Sequence, residues 1–99
     1  MLTLAYIVEK LAEAAARKAS GLRYSLDGLG LEGENRRIAE EVVATVAEQL
    51  VYESGGLLRC QVCGKGPFTR KGLYLHLRRV HRRMIEELVR RTLEEKLLG

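Results

Sequence analysis

The sequence predicts a mainly α fold carrying one small cysteine- and histidine-bearing element between helices, and three observations support it. Two N-terminal segments repeat apolar residues at spacings of three and four. Both cysteines and both histidines of the chain fall within residues 58–81. From Thr69 to about Leu97 there is no proline and only one glycine, Gly72, near the start. With 99 residues, 46% of them hydrophobic and 30% charged, the chain has the size and composition of one small folded unit or two very small ones.

The first helix is predicted over residues 3–20. Leu4, Val8, Leu11, Ala12, Ala15 and Ala19 form its stripe, Thr3 can cap it and Gly21 can end it. Residues 22–34 hold the turn formers Ser25, Asp27, Gly28, Gly30 and Gly33, and read as a connecting loop with room for one short strand. A second helix is predicted from about Asn35 to Glu53 on the stripe Ile38, Ala39, Val42, Val43, Val46, Ala47, Leu50 and Val51. Ser54-Gly55-Gly56 then breaks the pattern. The C-terminal stretch can be one long helix or two joined at the second histidine, with Met84, Ile85, Leu88, Val89, Leu93 and Leu97 on one face. None of these stripes can be hidden alone, so helices 3–20, 35–53 and 84–98 are expected to cover one another in a small bundle. Burial between two copies of the chain is the alternative, which makes a homodimer or a protein partner on these apolar faces possible.

Cys60 and Cys63 are two residues apart, twelve residues lie between Cys63 and His76, and four lie between His76 and His81. This C-x2-C-x12-H-x4-H pattern suits a tetrahedral zinc ion: a tight turn presents both sulfurs to one point, and one helix face presents both nitrogens. Four protein ligands close the coordination sphere, so one structural Zn2+ per chain is expected and a catalytic one is not. The alternative, a disulfide plus two chance histidines, leaves unexplained why the only two histidines stand at zinc spacing from the only two cysteines.

Around these ligands Leu58, Phe68 and Leu73 can form a tiny core beneath the metal, and Thr69 is placed to cap a helix from Arg70. With these residues the stretch 58–81 resembles the two-Cys, two-His zinc finger family. The resemblance covers about a quarter of the chain and implies a β-hairpin followed by a helix around zinc. One departure is that Gly64-Lys65-Gly66-Pro67 puts four residues, rather than the usual three, between Cys63 and Phe68, which predicts an altered turn. The organisation read from the sequence is a helical N-terminal region (1–53), a finger (54–83) and a C-terminal helical extension (84–99) that packs back on the bundle.

The net charge of +4 is unevenly spread. Residues 1–53 carry six basic and nine acidic side chains, and residues 84–99 carry three and four. Residues 54–83 hold eight basic ones (Arg59, Lys65, Arg70, Lys71, Arg78, Arg79, Arg82 and Arg83) and no acid. A concentrated basic patch points to phosphate backbones, so the partner expected is nucleic acid, either DNA or structured RNA. In the family the finger helix reads bases from positions that fall here on Thr69, Lys71, Gly72 and Leu75, of which only Lys71 is a strong donor to a base edge. The resemblance therefore implies binding mainly through phosphates, as in a small DNA-binding regulator or an RNA- or ribosome-associated protein. A zinc-stabilised protein-interaction module is the competing expectation.

Other signals count against enzymes and membranes. Gly28-x-Gly30-x-x-Gly33 matches a dinucleotide-binding glycine pattern but follows a predicted helix, where that fingerprint needs a strand. Both histidines are committed to metal, leaving none for a nucleophilic triad. No apolar run approaches the roughly 20 residues of a membrane span, and the start lacks the marks of a signal peptide, so a cytoplasmic protein is expected. Twelve of the seventeen basic residues are Arg and twelve of the thirteen acids are Glu, a bias towards charged networks that leans to a thermophilic source.

Overall fold

A computed structural model describes residues 3–98, which form four helices and one two-stranded antiparallel sheet. In chain order these are α1 (Leu4–Ala19), α2 (Gly33–Glu48), β1 (Val51–Ser54), β2 (Leu57–Cys60), α3 (Arg70–Val80) and α4 (Arg82–Leu98). The fold is mainly α with a ββα-like element, and α4 packs onto α1 and α2.

Each helix starts and stops for a local reason. The Thr3 hydroxyl accepts the Tyr6 N–H at 3.1 Å and Thr69 accepts that of Gly72 at 3.0 Å, so both predicted caps are present. Residues 22–32 contain no strand; they carry the buried Leu26 and Leu29 over the bundle as an irregular crossing. Of the two readings of the C-terminal stretch, the structure has the one with two helices joined at the second histidine: α3 ends at Val80, α4 begins at Arg82, and His81 stands between them with φ −116° and ψ 16°.

The second helix is shorter than its stripe suggested. It stops at Glu48, and residues 51–54 instead pair with 57–60 in the register Val51 with Cys60 and Ser54 with Leu57. Gly55 and Gly56 both have positive φ, 61° and 81°, the backbone of a two-residue hairpin turn whose twist matches the flanking strands. Ser54-Gly55-Gly56, read as the end of a helical region, is the tip of this hairpin. The helix yields to the strand because Leu50 can be buried at the corner, fully enclosed, while its carbonyl accepts the Gln61 N–H at 3.1 Å.

The core is built from the predicted stripes. Val8, Leu11, Ala12 and Ala15 of α1, Val42, Val43 and Val46 of α2, and Ile85 and Val89 of α4 are essentially inaccessible. Small residues on α1 let its neighbours approach closely. Cys60, Leu73 and Leu77 belong to the same apolar cluster, so the core continues without interruption from the helices to the ββα-like element. The stripes are thus covered within one chain except at their ends, where Leu4 and Leu97 are 58% and 59% exposed. Among the described residues no helix is long and apolar enough to cross a membrane.

Ile85, wholly buried where α4 meets the bundle, tests this packing. Ile85→Ala should cost about 2–5 kcal/mol by chemical denaturation, because transfer energy and a residual cavity add. Leu97→Ala, at a side chain 59% exposed, should stay within about 0.5 kcal/mol of the parent. Equal effects at the two positions would show that α4 is not held as described.

Candidate metal centre

Three neighbouring elements and the turn between two of them deliver the four ligands. Cys60 is the last residue of β2, Cys63 lies in the turn that follows, His76 is on α3 and His81 at the junction of α3 with α4. Two backbone bonds close the turn: Gly64 N–H to the Cys60 carbonyl at 2.8 Å, and Cys60 N–H to the Lys65 carbonyl at 2.9 Å. Phe68 then returns alongside β2, its N–H donating to the Leu58 carbonyl at 2.8 Å. The four-residue stretch 64–67 is thus absorbed as a bulging loop rather than a lost site. Gly66 is required in it, since its φ is 145° and a Cβ there would stand 3.0 Å from the Leu58 carbonyl oxygen.

The ligand atoms of Cys60, Cys63, His76 and His81 all lie within 4.8 Å of one another. Zinc–sulfur and zinc–nitrogen bonds of about 2.3 and 2.0 Å give a tetrahedron with edges of about 3.3–3.8 Å, and Cys63 Sγ stands 3.3 Å from His76 Nε2. Such a set can hold one metal ion. The surroundings support the same use: His81 Nε2 is buried and no protein atom satisfies it, a costly state unless something else does. The two imidazoles meet edge to face with centroids 4.9 Å apart, and Phe68 stacks on His76 at 4.8 Å. Beneath them Leu73 and Leu77 are fully buried and Leu58 and Phe68 half-buried, the small core expected with Leu77 added.

The local electrostatics favour the ligand forms of the histidines. Burial lowers the pKa of His76, helped by the charges of His81 and Lys65; burial, then Lys65, lowers that of His81. Both rings are held neutral, as coordination requires. Cys60 is pushed up by burial, while backbone N–H groups of Cys63 and Val62 aimed at its sulfur pull it back. A cation at the centre would complete that stabilisation of a thiolate. Both cysteines are free thiols here, Cys60 buried and Cys63 exposed.

Six of the eight basic residues of this segment fall into two rows on the surface of α3 and the start of α4. Arg70, Tyr74, Arg78 and Arg82 follow one another at steps of four and face α1. Arg70 lies along Gly21, where an added Cβ would stand 3.3 Å from its Nε. The Arg17 guanidinium covers the Tyr74 ring at 4.9 Å, and Arg82 pairs with Glu9 at 3.6 Å and Glu86 at 3.2 Å. Arg78, between them, has its Nη1 buried. The second row, Lys71, Leu75, Arg79 and then Arg83, also steps by four and points away from α1. Its three cations are exposed, as is Lys65 beside the histidines, whereas Arg59 is half-buried against Gly66. Sequence reasoning missed this division, because nothing in the segment itself shows that Gly21, Arg17 and Glu9 would line up along one of the two rows.

The shifted histidines fix a pH dependence. Their folded pKa values lie below the ordinary 6.5, so the unfolded chain takes up protons first as pH falls. Stability is fully present above about 6.5 and is lost progressively below it. The melting midpoint should therefore drop as pH falls from 7 to 5, and His76→Ala should flatten that drop; an unchanged midpoint over this range would contradict the placement of the rings. Comparison of the chain with family models, with curated proteins and with solved structures finds no match.

Proposed function

We propose that this protein is a zinc-stabilised nucleic-acid-binding protein, with a single finger of the two-Cys, two-His type that holds phosphates through the outer row of α3. The observation that carries the reading is the state of that row. Lys71, Arg79 and Arg83 are exposed, and among the described residues none of them has a carboxylate partner, while Arg17, Arg36, Arg37, Arg82, Arg90 and Arg91 all do. Lys71 and Arg79 stand two turns, about 12 Å, apart on α3, and Arg83 follows just past the junction on α4, a set of uncompensated cations suited to several phosphates of one backbone.

Zinc is favoured over other ions by the donor set, two cysteine sulfurs and two imidazoles whose ligand atoms lie within 4.8 Å of one another. Its role is to tie the turn of Cys60 and Cys63 to α3 and the α3–α4 junction, adding to the hold of the apolar cluster to which Leu73 and Leu77 belong. Binding through phosphates carries little sequence information. Of the positions from which such a helix reads bases, Gly72 offers no side chain and Leu75 is apolar and half-buried, so Lys71 is left to act alone. A role as a small DNA-binding regulator would need specificity from elsewhere, and shape-directed binding to duplex DNA or RNA does not.

Two measurements test the proposal. Protein purified without added metal should contain one zinc per chain by elemental analysis, and folded protein free of zinc would refute the finger. Replacing Lys71, Arg79 and Arg83 together by Ala should weaken binding to unrelated duplexes alike and flatten the log–log salt dependence by about 2.7, at roughly 0.9 for each phosphate no longer neutralised. Arg82→Ala, which breaks the link to Glu9, should leave that slope nearly unchanged. A triple variant that binds as well as the parent would remove nucleic acid from the mechanism and favour a protein-interaction role.

A further inference from the structure

A groove of about 620 Å³ runs between α1 and the crossing that follows it. Tyr6, Lys10 and Arg17 line it from α1; Arg23, Tyr24 and Asp27 line it from the other side. The two tyrosine rings are each accompanied by a cation, Lys10 Nζ at 5.4 Å from the Tyr6 centroid and Lys18 Nζ at 6.0 Å from that of Tyr24. The Tyr24 hydroxyl donates to Glu40 at 3.1 Å, which fixes that ring in place. Tyr6, by contrast, is 39% exposed.

The charges in the groove are mixed but not balanced pair by pair. Glu13 is engaged by Arg17 at 3.4 Å and Asp27 by Arg36 at 3.0 Å. Arg17 also donates to the Arg23 carbonyl at 3.2 Å, tying the two walls together. Lys10 and Arg23 are left without carboxylate partners among the described residues. A bare polyanion would meet the two acids as well as the cations. A nucleotide suits the mixture better: its base can stack on a tyrosine and use carboxylates and backbone as hydrogen-bond partners, while its phosphate takes Lys10 or Arg23.

The groove adjoins the inner row of the basic segment. Arg17 forms part of its wall, and the same guanidinium covers Tyr74 of that row. A strand whose backbone lies on the outer row would reach the groove by crossing the inner row past Tyr74 and Arg17.

We infer that this groove receives one unpaired nucleotide of a structured RNA whose helical phosphates are held by the outer row of α3. The inference rests on the phosphate reading of that row and adds the substrate class. RNA helices hide their base edges in a deep, narrow groove, so discrimination comes from unpaired bases that stack on aromatic rings. The helix of the finger has little with which to read a duplex, and the groove supplies the missing base contact.

The test compares an RNA hairpin with a fully paired stem and the same hairpin carrying one bulged adenosine, both titrated at one salt concentration with AMP as a third probe. The parent protein should prefer the bulged stem about ten-fold, within the range for one base stacked on an aromatic ring. Tyr6→Leu and Tyr24→Leu should each reduce or abolish the preference while leaving affinity for the paired stem unchanged, which also reports that they fold. Tyr24→Phe, which keeps the ring, should retain it. The Lys71, Arg79 and Arg83 triple variant should weaken both hairpins equally. If the parent binds both hairpins alike and the triple variant still weakens both, the groove is overturned and the phosphate row stands. If neither hairpin nor duplex DNA binds, both fall. AMP binding to the groove without any bulge preference would overturn the RNA assignment in favour of a free nucleotide.

Discussion

Four side chains able to hold one metal ion converge from β2, the turn after it and α3, and the last of them, His81, is also the residue at which α3 gives way to α4. A ligand in the middle of a helix could be met by rotating that helix. His81 cannot be moved without moving Arg82, Ile85 and Val89 behind it, and Ile85 and Val89 are fixed in the bundle core. The direction in which α3 leaves the bundle and the position of the metal centre are thus one constraint seen from two sides. Cys60 brings the same constraint from the other end, since it is both a ligand and a fully buried member of the common apolar cluster.

That arrangement explains why the two rows of the basic segment have different surroundings. Once α3 is held at both ends, the row containing Arg70, Tyr74, Arg78 and Arg82 must lie along α1, where Gly21, Arg17 and Glu9 stand ready at matching steps of four. Glycine at position 21 gives room for the Arg70 side chain, and the Tyr74 ring gives Arg17 a surface without competing for its hydrogen bonds. The individual ion pair is exposed and worth little alone. The row as a whole orients α3, and the cations of the other row, about 100° further round the helix, are left exposed.

Much of this was legible from the residues. The stripes of α1, α2 and α4, the caps at Thr3 and Thr69 and the cluster of Cys60, Cys63, His76 and His81 all follow from periodicity and spacing, which act locally, whereas periodicity alone leaves one long helix or a break at His81 both open. The resemblance implies a hairpin, but not one that starts at Val51, although Gly55-Gly56 between two short apolar-polar runs is a known turn signal. Leu50 and Val51 continued the helical stripe one turn past its real end, and a stripe cannot distinguish a final turn of helix from a buried corner leading into a strand. The two rows of α3 were beyond reach for a different reason: which face of a helix meets a neighbour depends on the direction it leaves its anchors, and that is tertiary information. The groove beside α1 was invisible too, because its residues come from a helix and a loop that sequence reasoning treats separately.

The arginines show how one composition serves two purposes. Outside the basic segment, arginines stand within three or four residues of a glutamate, and the structure pairs many of them accordingly: Arg17 with Glu13, Arg37 with Glu34 and Glu41, Arg90 and Arg91 with Glu87. These pairs spend their charge within the helix and leave little field outside it. From residue 54 to 83 there is no acid at all, so no arginine or lysine of α3 can be neutralised by a neighbour on its own helix. Arg82 and Arg83, which open α4, do have acids four residues on: Arg82 pairs with Glu86 as well as with Glu9 of α1, whereas Glu87, four residues from Arg83, pairs with Arg90 and Arg91. The positive field of the outer row therefore has two separate origins: the absence of acids from α3, which is written in the sequence, and the engagement of Glu87 by other arginines together with the orientation of α3, which is not. A sequence with the same net charge but glutamates four residues from Lys71 and Arg79 would lose that field on α3.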